Sequence, residues 1–266
     1  MATELVREAI LGRRRSLLWW SVGLVALVVL TVAFFPSVRD STALNSYAED
    51  LPEAMRGLFT GGETDLVSGP GYLNSQLFAL MAPLLVVIFA IGYGASAVAG
   101  EEEKGMLELV LAQPVSRAKL VWARFAALAA LVAGISIALL VAVAVSSAVV
   151  DIEVGLDKLV AATGGVALLG LLYGSVAIAA GSVWPGRGRA IAVASAVAVA
   201  AWMLDGLGQA VDWLDPWRPL SPVYQVISSN PLREGVPWDG WLILTAASLA
   251  LIAIAALGLG RRDVEQ

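Results

Sequence analysis

Cysteine and histidine are both absent from the 266 residues of this chain. Without cysteine there is no disulfide bond and no thiolate nucleophile, and without histidine there is no imidazole base. The ligands that most often bind zinc are missing with them. A membrane serine protease would need a base beside its nucleophile, and Ser175 and Ser182 have no histidine to supply one. We therefore expect no catalytic residues and no metal site.

Charged side chains are scarce: they make up 15 % of the residues, whereas apolar residues make up 59 %. The mean hydropathy is +0.80, far above that of a soluble domain. Six stretches contain no charged side chain: 16–38, 66–100, 125–150, 159–186, 190–204 and 240–260. A helix needs roughly 20 mostly apolar residues to cross a bilayer. The chain is therefore predicted to be an integral membrane protein.

The apolar stretches are continuous and do not alternate, which predicts membrane-spanning helices and an all-α fold. We predict one transmembrane domain over residues 1–266, which begins with an interfacial helix at 3–15. The predicted connections are a cytoplasmic coupling loop with a short helix at 100–119 and external loops with short helices at 39–73 and 212–239. The six predicted spans are 16–38, 74–99, 120–149, 159–184, 189–211 and 240–260.

The basic residues predict the orientation of these spans. Six spans place both termini on one side of the membrane, and 12 of the 17 lysines and arginines fall on that side. Because basic loops stay inside, both termini are predicted to be cytoplasmic in a multi-pass protein of the cell membrane. The acidic residues collect mostly outside, so the pI of 4.8 indicates no nucleic-acid partner.

A phosphate-binding loop is also missing. This motif needs Gly-Lys-Ser/Thr after a glycine-rich turn, and none of Lys104, Lys119 and Lys158 stands in that context. The chain is predicted not to be an enzyme and to bind no cofactor itself. Any energy from ATP would have to come from another subunit.

Ionisable residues inside spans are costly and commonly mark ion or substrate paths. Asp205, beside Gly206 near the outer end of the fifth span, is interpreted as a residue at the membrane interface. Small residues on the fourth span permit close helix approach, either within the chain or between two copies. These small residues are Gly170, Gly174, Ala177 and Gly181.

The external segment that follows the fifth span is rich in aromatic residues and contains five prolines, at 216, 219, 222, 231 and 237. Prolines interrupt a continuous helix, so short pieces at the outer leaflet are predicted. Two interpretations stay open for this segment. Trp213, Trp217 and Tyr224 could gate an export path, or the segment could simply cap the last two spans.

Residues 100–124 concentrate charges between two long apolar stretches. Gly100 is expected to let the backbone turn after the second span. Glu101 and its two acidic neighbours would complement the dipole of a new short helix. Pro114 would end this helix, and Ser116 would then cap the third span. The short helix between the acidic residues and Pro114 is apolar enough to need cover from lipid, neighbouring helices or a partner protein.

These residues carry a family resemblance. Gly100-Glu101, followed by Gly105, Leu107-Glu108 and 111–117, resembles the segment after the second helix in permease subunits of type-2 ABC exporters. Six spans, cytoplasmic termini and a long first external loop fit that family across nearly the whole chain. Met106 stands where the family often has threonine, and Arg124 where lysine is common.

The resemblance implies two ATP-binding subunits, which bind ATP and Mg²⁺, and two permease protomers, of this chain or a related one. In that family, the loop after the second span and the N-terminal interfacial helix dock on the ATPase. Alternatively, the loop residues only anchor the loop to the membrane. Carried over by position, the ATPase-coupling residues are Glu101, Glu103, Gly105, Met106, Leu107, Leu109, Val110, Leu111, Pro114 and Arg117.

A membrane protein without a motor is the competing class, either a secondary carrier or a scaffold. A carrier commonly has repeated halves and polar groups at mid-membrane, and no convincing repeat is present here. An ATPase encoded beside this chain would favour the exporter interpretation.

Overall fold

The computed structural model describes residues 2–39, 50–103, 105 and 116–261. Within these ranges the chain is helical and has no strand, which confirms the all-α fold. Six helical segments are long and apolar enough to cross a membrane, as predicted. These segments are Thr3–Val38, Gly69–Ala97, Arg117–Val149, Leu156–Val183, Arg187–Gly208 and Trp238–Gly260.

The α-helices are numbered in chain order. The long ones are α1 (Ala2–Val38), α4 (Met81–Ala97), α6 (Arg117–Val149), α7 (Leu156–Val183), α8 (Arg187–Gly208) and α10 (Trp238–Arg261). The short ones are α2 (Glu53–Thr60), α3 (Gly69–Leu73), α5 (Ala99–Glu102) and α9 (Pro231–Glu234). Two π-helical turns, Asn74–Phe78 and Tyr224–Ser228, and a 3-10 helix, Asp215–Leu220, complete the described structure.

The sequence predicts an interfacial helix at 3–15 that leads into the first span at 16–38. The structure has one continuous helix, Ala2–Val38, over both segments. Arginine is a good helix former, so the basic run at 13–15 marks a change of polarity but does not end the helix. Pro36 lies in the last turn of α1.

The second span begins earlier than the predicted start at Asn74. Gly69 opens α3, with Ser68 as its N-cap and Pro70 in its first turn, where proline is well tolerated. The turn after α4 falls at Val98, whose φ of −124° and ψ of −66° interrupt the helix. Gly100, expected to make this turn, instead lies inside α5.

The fourth span, α7, lies at the centre of the bundle and packs against α4, α6, α8 and α10. Its glycines allow this close approach. A Cβ added at Gly174 would lie 2.7 Å from a methyl carbon of Leu128 in α6, and one at Gly170 would lie 2.8 Å from Val86 in the second span. The small residues of this span are therefore used in packing within the chain.

The crossing of α4 and α7 supplies a test of this packing. A Cβ at Gly94 would collide with the carbonyl oxygen of Gly174 and lie 3.0 Å from Cβ of Ala177. Gly94→Val is expected to destabilise the bundle by about 1 to 3 kcal/mol through overpacking, measured as a lower Tm in detergent. Gly134→Val in α6 is the control, because its Cβ would make ordinary contact with Leu17 at 3.5 Å. Equal Tm values for the two variants would contradict this packing.

Candidate functional site

The N-terminus of α1 and the end of α10 lie on one side of a six-span bundle, here called the terminal side; the opposite face is the loop side. On the terminal side, Glu101 of α5 forms an ion pair with Arg124 of α6. Nη2 of Arg124 lies 2.6 Å from Oε1 and 2.7 Å from Oε2 of Glu101. Arg124 is buried. Because a buried charge is costly without its partner, the pair holds α5 against α6.

Glu103 makes a second link from the same segment. The backbone N–H of Arg187, the first residue of α8, donates to Oε1 of Glu103 at 2.7 Å. A carboxylate at this position satisfies an N–H that has no partner within the helix, and it complements the helix dipole. Gly186 leads into α8 with a φ of +108°, a conformation that favours glycine. The segment after α4 is thus hydrogen-bonded to the start of α8.

Arg117 makes a third link on the terminal side, between α6 and α10. Ser116 caps α6, because its Oγ accepts the N–H of Lys119 at 3.3 Å, and this confirms the predicted cap. Nη1 of Arg117 donates to the carbonyl oxygen of Leu259 at 3.0 Å, near the end of α10. Cations near a helix C-terminus pair well with its last carbonyls. Arg117 therefore holds the start of α6 beside the end of α10.

Four of the ten predicted coupling residues lie in the described part of the chain. Glu101, Glu103 and Arg117 make the links above, and Gly105 has a φ of +67°. Each link joins the segment around the predicted coupling loop to a different long helix. The other six, Met106, Leu107, Leu109, Val110, Leu111 and Pro114, fall outside the described residues.

A buried polar network lies on the loop side, at the end of α8. The hydroxyl of Ser228 donates to Oδ2 of Asp205 at 2.7 Å, and Nε and Nη2 of Arg218 each donate to Oδ1 at 3.4 Å. The guanidinium of Arg218 lies 5.1 Å from the ring centroid of Tyr224. Asp205 is 3 % exposed. Asp205 lies near the end of α8, and its carboxylate is buried in protein and paired.

Both polar sites connect to long helices of one membrane bundle. The family model described as ABC-2 family transporter protein matches residues 10–264. The chain belongs to this family. It is therefore a permease, a transmembrane component of an ABC transporter and not itself an ATPase. A comparison with curated proteins gave no match.

The three residues of the predicted external gate do not share one environment in the permease. Tyr224 lies against Arg218 in the network around Asp205. Trp213 is 72 % exposed and Trp217 is 56 % exposed, so both indole rings face outward. Exposed tryptophans are common where a protein meets the membrane interface. The structure brings Tyr224 to the polar network and leaves the two tryptophans at its outer surface.

Helix α2, in the loop between the first two spans, covers the network. It occupies Glu53–Thr60, within the loop at 39–73 that is predicted to contain a short helix. A Cβ at Gly57 would lie 2.6 Å from the carbonyl oxygen of Gly206 in α8. The two facing glycines let α2 cross α8 directly beside Asp205.

A second ion-pair cluster joins two loops of the permease on the loop side. Nη2 of Arg233 lies 3.2 Å from Oε1 of Glu63 and 3.2 Å from Oδ2 of Asp65. Hydrogen bonding with Ser68 lowers the pKa of Asp65 and outweighs the opposing effect of burial. Burial lowers the pKa of Arg233, but hydrogen bonds and charges from Asp65 and Glu63 outweigh it and raise that pKa. The cluster is part-exposed, so its contribution to stability is modest.

Sequence reasoning missed Arg124 and Arg218 as pairing residues. Arg124 is the last charged residue before an apolar stretch. A basic residue at this position is already expected from the orientation of the spans, so it did not call for a partner. Its partner lies 23 positions earlier and Arg218 lies 13 positions after Asp205, so neither pair has helical spacing. The available signal was a charged residue at the boundary of a span, but this signal does not identify the residue with which it pairs.

Proposed function

We propose that the permease forms the translocation path of an exporter driven by a separate ATP-binding subunit. In this proposal the terminal side is cytoplasmic, and the ATPase, which binds ATP and Mg²⁺, docks on residues 100–119 and on the start of α1. Two copies of the ATPase act on two permease protomers, of this chain or a related one. The complex lies in the cell membrane.

The links around residues 100–117 carry the proposal. Glu101 is paired with α6, Glu103 is bonded to the start of α8, and Arg117 bonds the end of α10. A displacement of the loop between these residues would therefore act on three spans together. A motor that binds a soluble loop needs such connections, because its binding energy must favour one arrangement of the spans over another.

The basic residues support the proposed orientation. Arg13, Arg14 and Arg15 lie on the terminal side with most other lysines and arginines, and basic segments resist translocation. The loop side then faces outward, and the network of Asp205, Arg218 and Tyr224 becomes the external gate of the path. Its buried ion pair favours a closed state, because opening it would separate charges that are shielded from water.

Co-purification with a neighbouring ATPase tests the proposal. We expect the permease, co-expressed with an ATPase encoded beside it and extracted in mild detergent, to retain that ATPase in stoichiometric amount. Leu107→Ala/Leu111→Ala is expected to lose the ATPase, because two apolar contacts in the predicted docking loop are removed. Leu18→Ala/Leu257→Ala is the matched control, because these leucines are 63 % and 64 % exposed on other helices.

The opposite result favours the competing class. If the permease is recovered alone under conditions that keep other membrane complexes intact, the ATPase-driven proposal is wrong and a carrier or scaffold becomes the better explanation. Loss of the ATPase in the control variant as well would move the docking surface away from residues 107 and 111.

A further inference from the structure

A cavity of about 240 Å³ opens on the terminal side between α1, α4 and the start of α8. Its polar wall is formed by Arg13, Ser16, Tyr93 and Arg187. Helix α1 packs mainly along α6 and makes little contact with α4. The cavity is therefore a gap between two spans that residues 2–39, 50–103, 105 and 116–261 do not fill.

The cavity carries two positive charges. The guanidinium of Arg13 lies 5.9 Å from the ring centroid of Tyr93, and the side chain of Arg187 passes over Gly100, whose added Cβ would lie 3.5 Å from it. Glu103 accepts a hydrogen bond from the backbone of Arg187, and no salt bridge joins either guanidinium to a carboxylate among the described residues. The site therefore has a net positive charge that suits an anion.

An apolar groove continues from the cavity along α1 toward the middle of the membrane. It has a volume of about 340 Å³ and is lined by Trp19, Trp20, Gly23, Leu24 and Leu85. Trp20 borders both spaces. A basic cavity at the membrane surface joined to an apolar groove fits a molecule with an anionic head and a hydrocarbon tail.

We infer that α1, α4 and the start of α8 form a binding site for an anionic phospholipid of the terminal-side leaflet. The phosphate lies between Arg13 and Arg187, and an acyl chain follows the groove beside Trp20. Anionic lipid heads attract clustered basic side chains at the membrane surface. The bound lipid joins α1 to the start of α8, the same point that Glu103 holds. Only the assignment of this leaflet as cytoplasmic rests on the proposed function.

Native mass spectrometry of the full-length permease, without any ATPase, tests the site. We expect phosphatidylglycerol to bind more tightly than phosphatidylcholine with the same acyl chains. Arg13→Gln/Arg187→Gln is expected to weaken phosphatidylglycerol binding by about fivefold for each arginine removed. Arg14→Gln/Arg189→Gln is the matched control, because it removes two exposed arginines from the same side and is expected to keep the preference.

Two further variants separate the head site from the tail site. Gly92 lines the cavity and Gly23 lines the groove, and an added Cβ meets nothing within 4 Å at either position. Gly92→Leu and Gly23→Trp should therefore reduce lipid binding by filling space, with no change of charge and no loss of Tm.

Several outcomes would overturn the site. If both arginine double variants weaken phosphatidylglycerol binding equally, the preference comes from general surface charge and not from this site. Competition by glycerol phosphate as strong as that by the phospholipid would show that the groove is not used. A lipid-free permease dimer that Gly92→Leu disrupts would mean that a second protomer fills the gap. Because the ATPase is absent, none of these results depends on the proposed energy source.

Discussion

Arg124→Ala is expected to destabilise the permease by about 3 kcal/mol, the lower end of the range for breaking a buried ion pair. The variant removes the buried guanidinium that pairs with Glu101 on the terminal side, where the Glu101 side chain is 20 % exposed and the Arg124 side chain 10 %. Partial access of water to Glu101 is the reason for choosing the lower end. The measurement is Tm in detergent, which should fall by about 5 to 10 °C for a chain of this size.

The exposed pair of Arg7 and Glu4 supplies the control for this prediction. Its side chains are 70 % and 64 % exposed at 3.7 Å, and exposed pairs contribute about 0 to 1 kcal/mol. Arg7→Ala should therefore leave Tm almost unchanged. A Tm for Arg124→Ala as high as that for Arg7→Ala would contradict a stabilising link between α5 and α6.

The reversed pair Glu101→Arg/Arg124→Glu separates stability from coupling. It keeps the opposite charges in contact, so part of the lost Tm should return relative to Arg124→Ala. If the pair transmits movement from the loop to α6, ATPase activity in the complex should fall in Arg124→Ala and recover together with Tm in the reversed pair. Recovery of Tm without recovery of ATPase activity would assign the pair to stability alone.

The six spans were predictable because their signal is local. A long uncharged stretch must be a helix in a bilayer, since each backbone polar group has to be satisfied within its own segment. Helix ends were less predictable. The arginines at 13–15 change the polarity of α1 without ending it, and Pro70 lies in the first turn of a helix that begins before the predicted start of the second span.

The polar sites were less predictable because their partners are distant in sequence. The ion pair of Glu101 joins positions 23 residues apart, and Arg233 reaches Glu63 across 170 positions. Spacing rules for helices link residues three or four apart and are silent on such pairs. Sequence reasoning found Glu101 and Asp205 as unusual charges, and only the packing of the spans identified Arg124 and Arg218 beside them.

Helix α8 connects the two polar sites. Its first backbone N–H is bonded to Glu103 on the terminal side, and its last turn carries Asp205 into the loop-side network. A rigid helix held at both ends moves as a unit, so a displacement of its start reaches Asp205. Coupling between distant sites needs a contiguous element of this kind with two arrangements.

Asp205→Ala is expected to destabilise the loop-side network by about 2 to 3 kcal/mol, because it removes the buried carboxylate that accepts from Arg218 and from the Ser228 hydroxyl. Arg218 then keeps its pair with the exposed Asp215. Asp205→Asn should cost less, since its amide oxygen still accepts from Ser228. Asp212→Ala is the control, an exposed aspartate four residues beyond α8. Tm in detergent is the first measurement for all three variants.

The absence of cysteine makes a second measurement direct, because a single introduced thiol is the only one in the chain. Val226 is 1 % exposed beside the network, so Val226→Cys should react slowly with a maleimide in detergent. Added to this probe, Asp205→Ala should raise the labelling rate by at least about tenfold, because the segment opens more often once its buried pair is lost. Asp212→Ala should not change the rate. If the two aspartate variants label alike, the Asp205 pair does not hold the loop-side segment closed, and the proposed gate loses its physical basis.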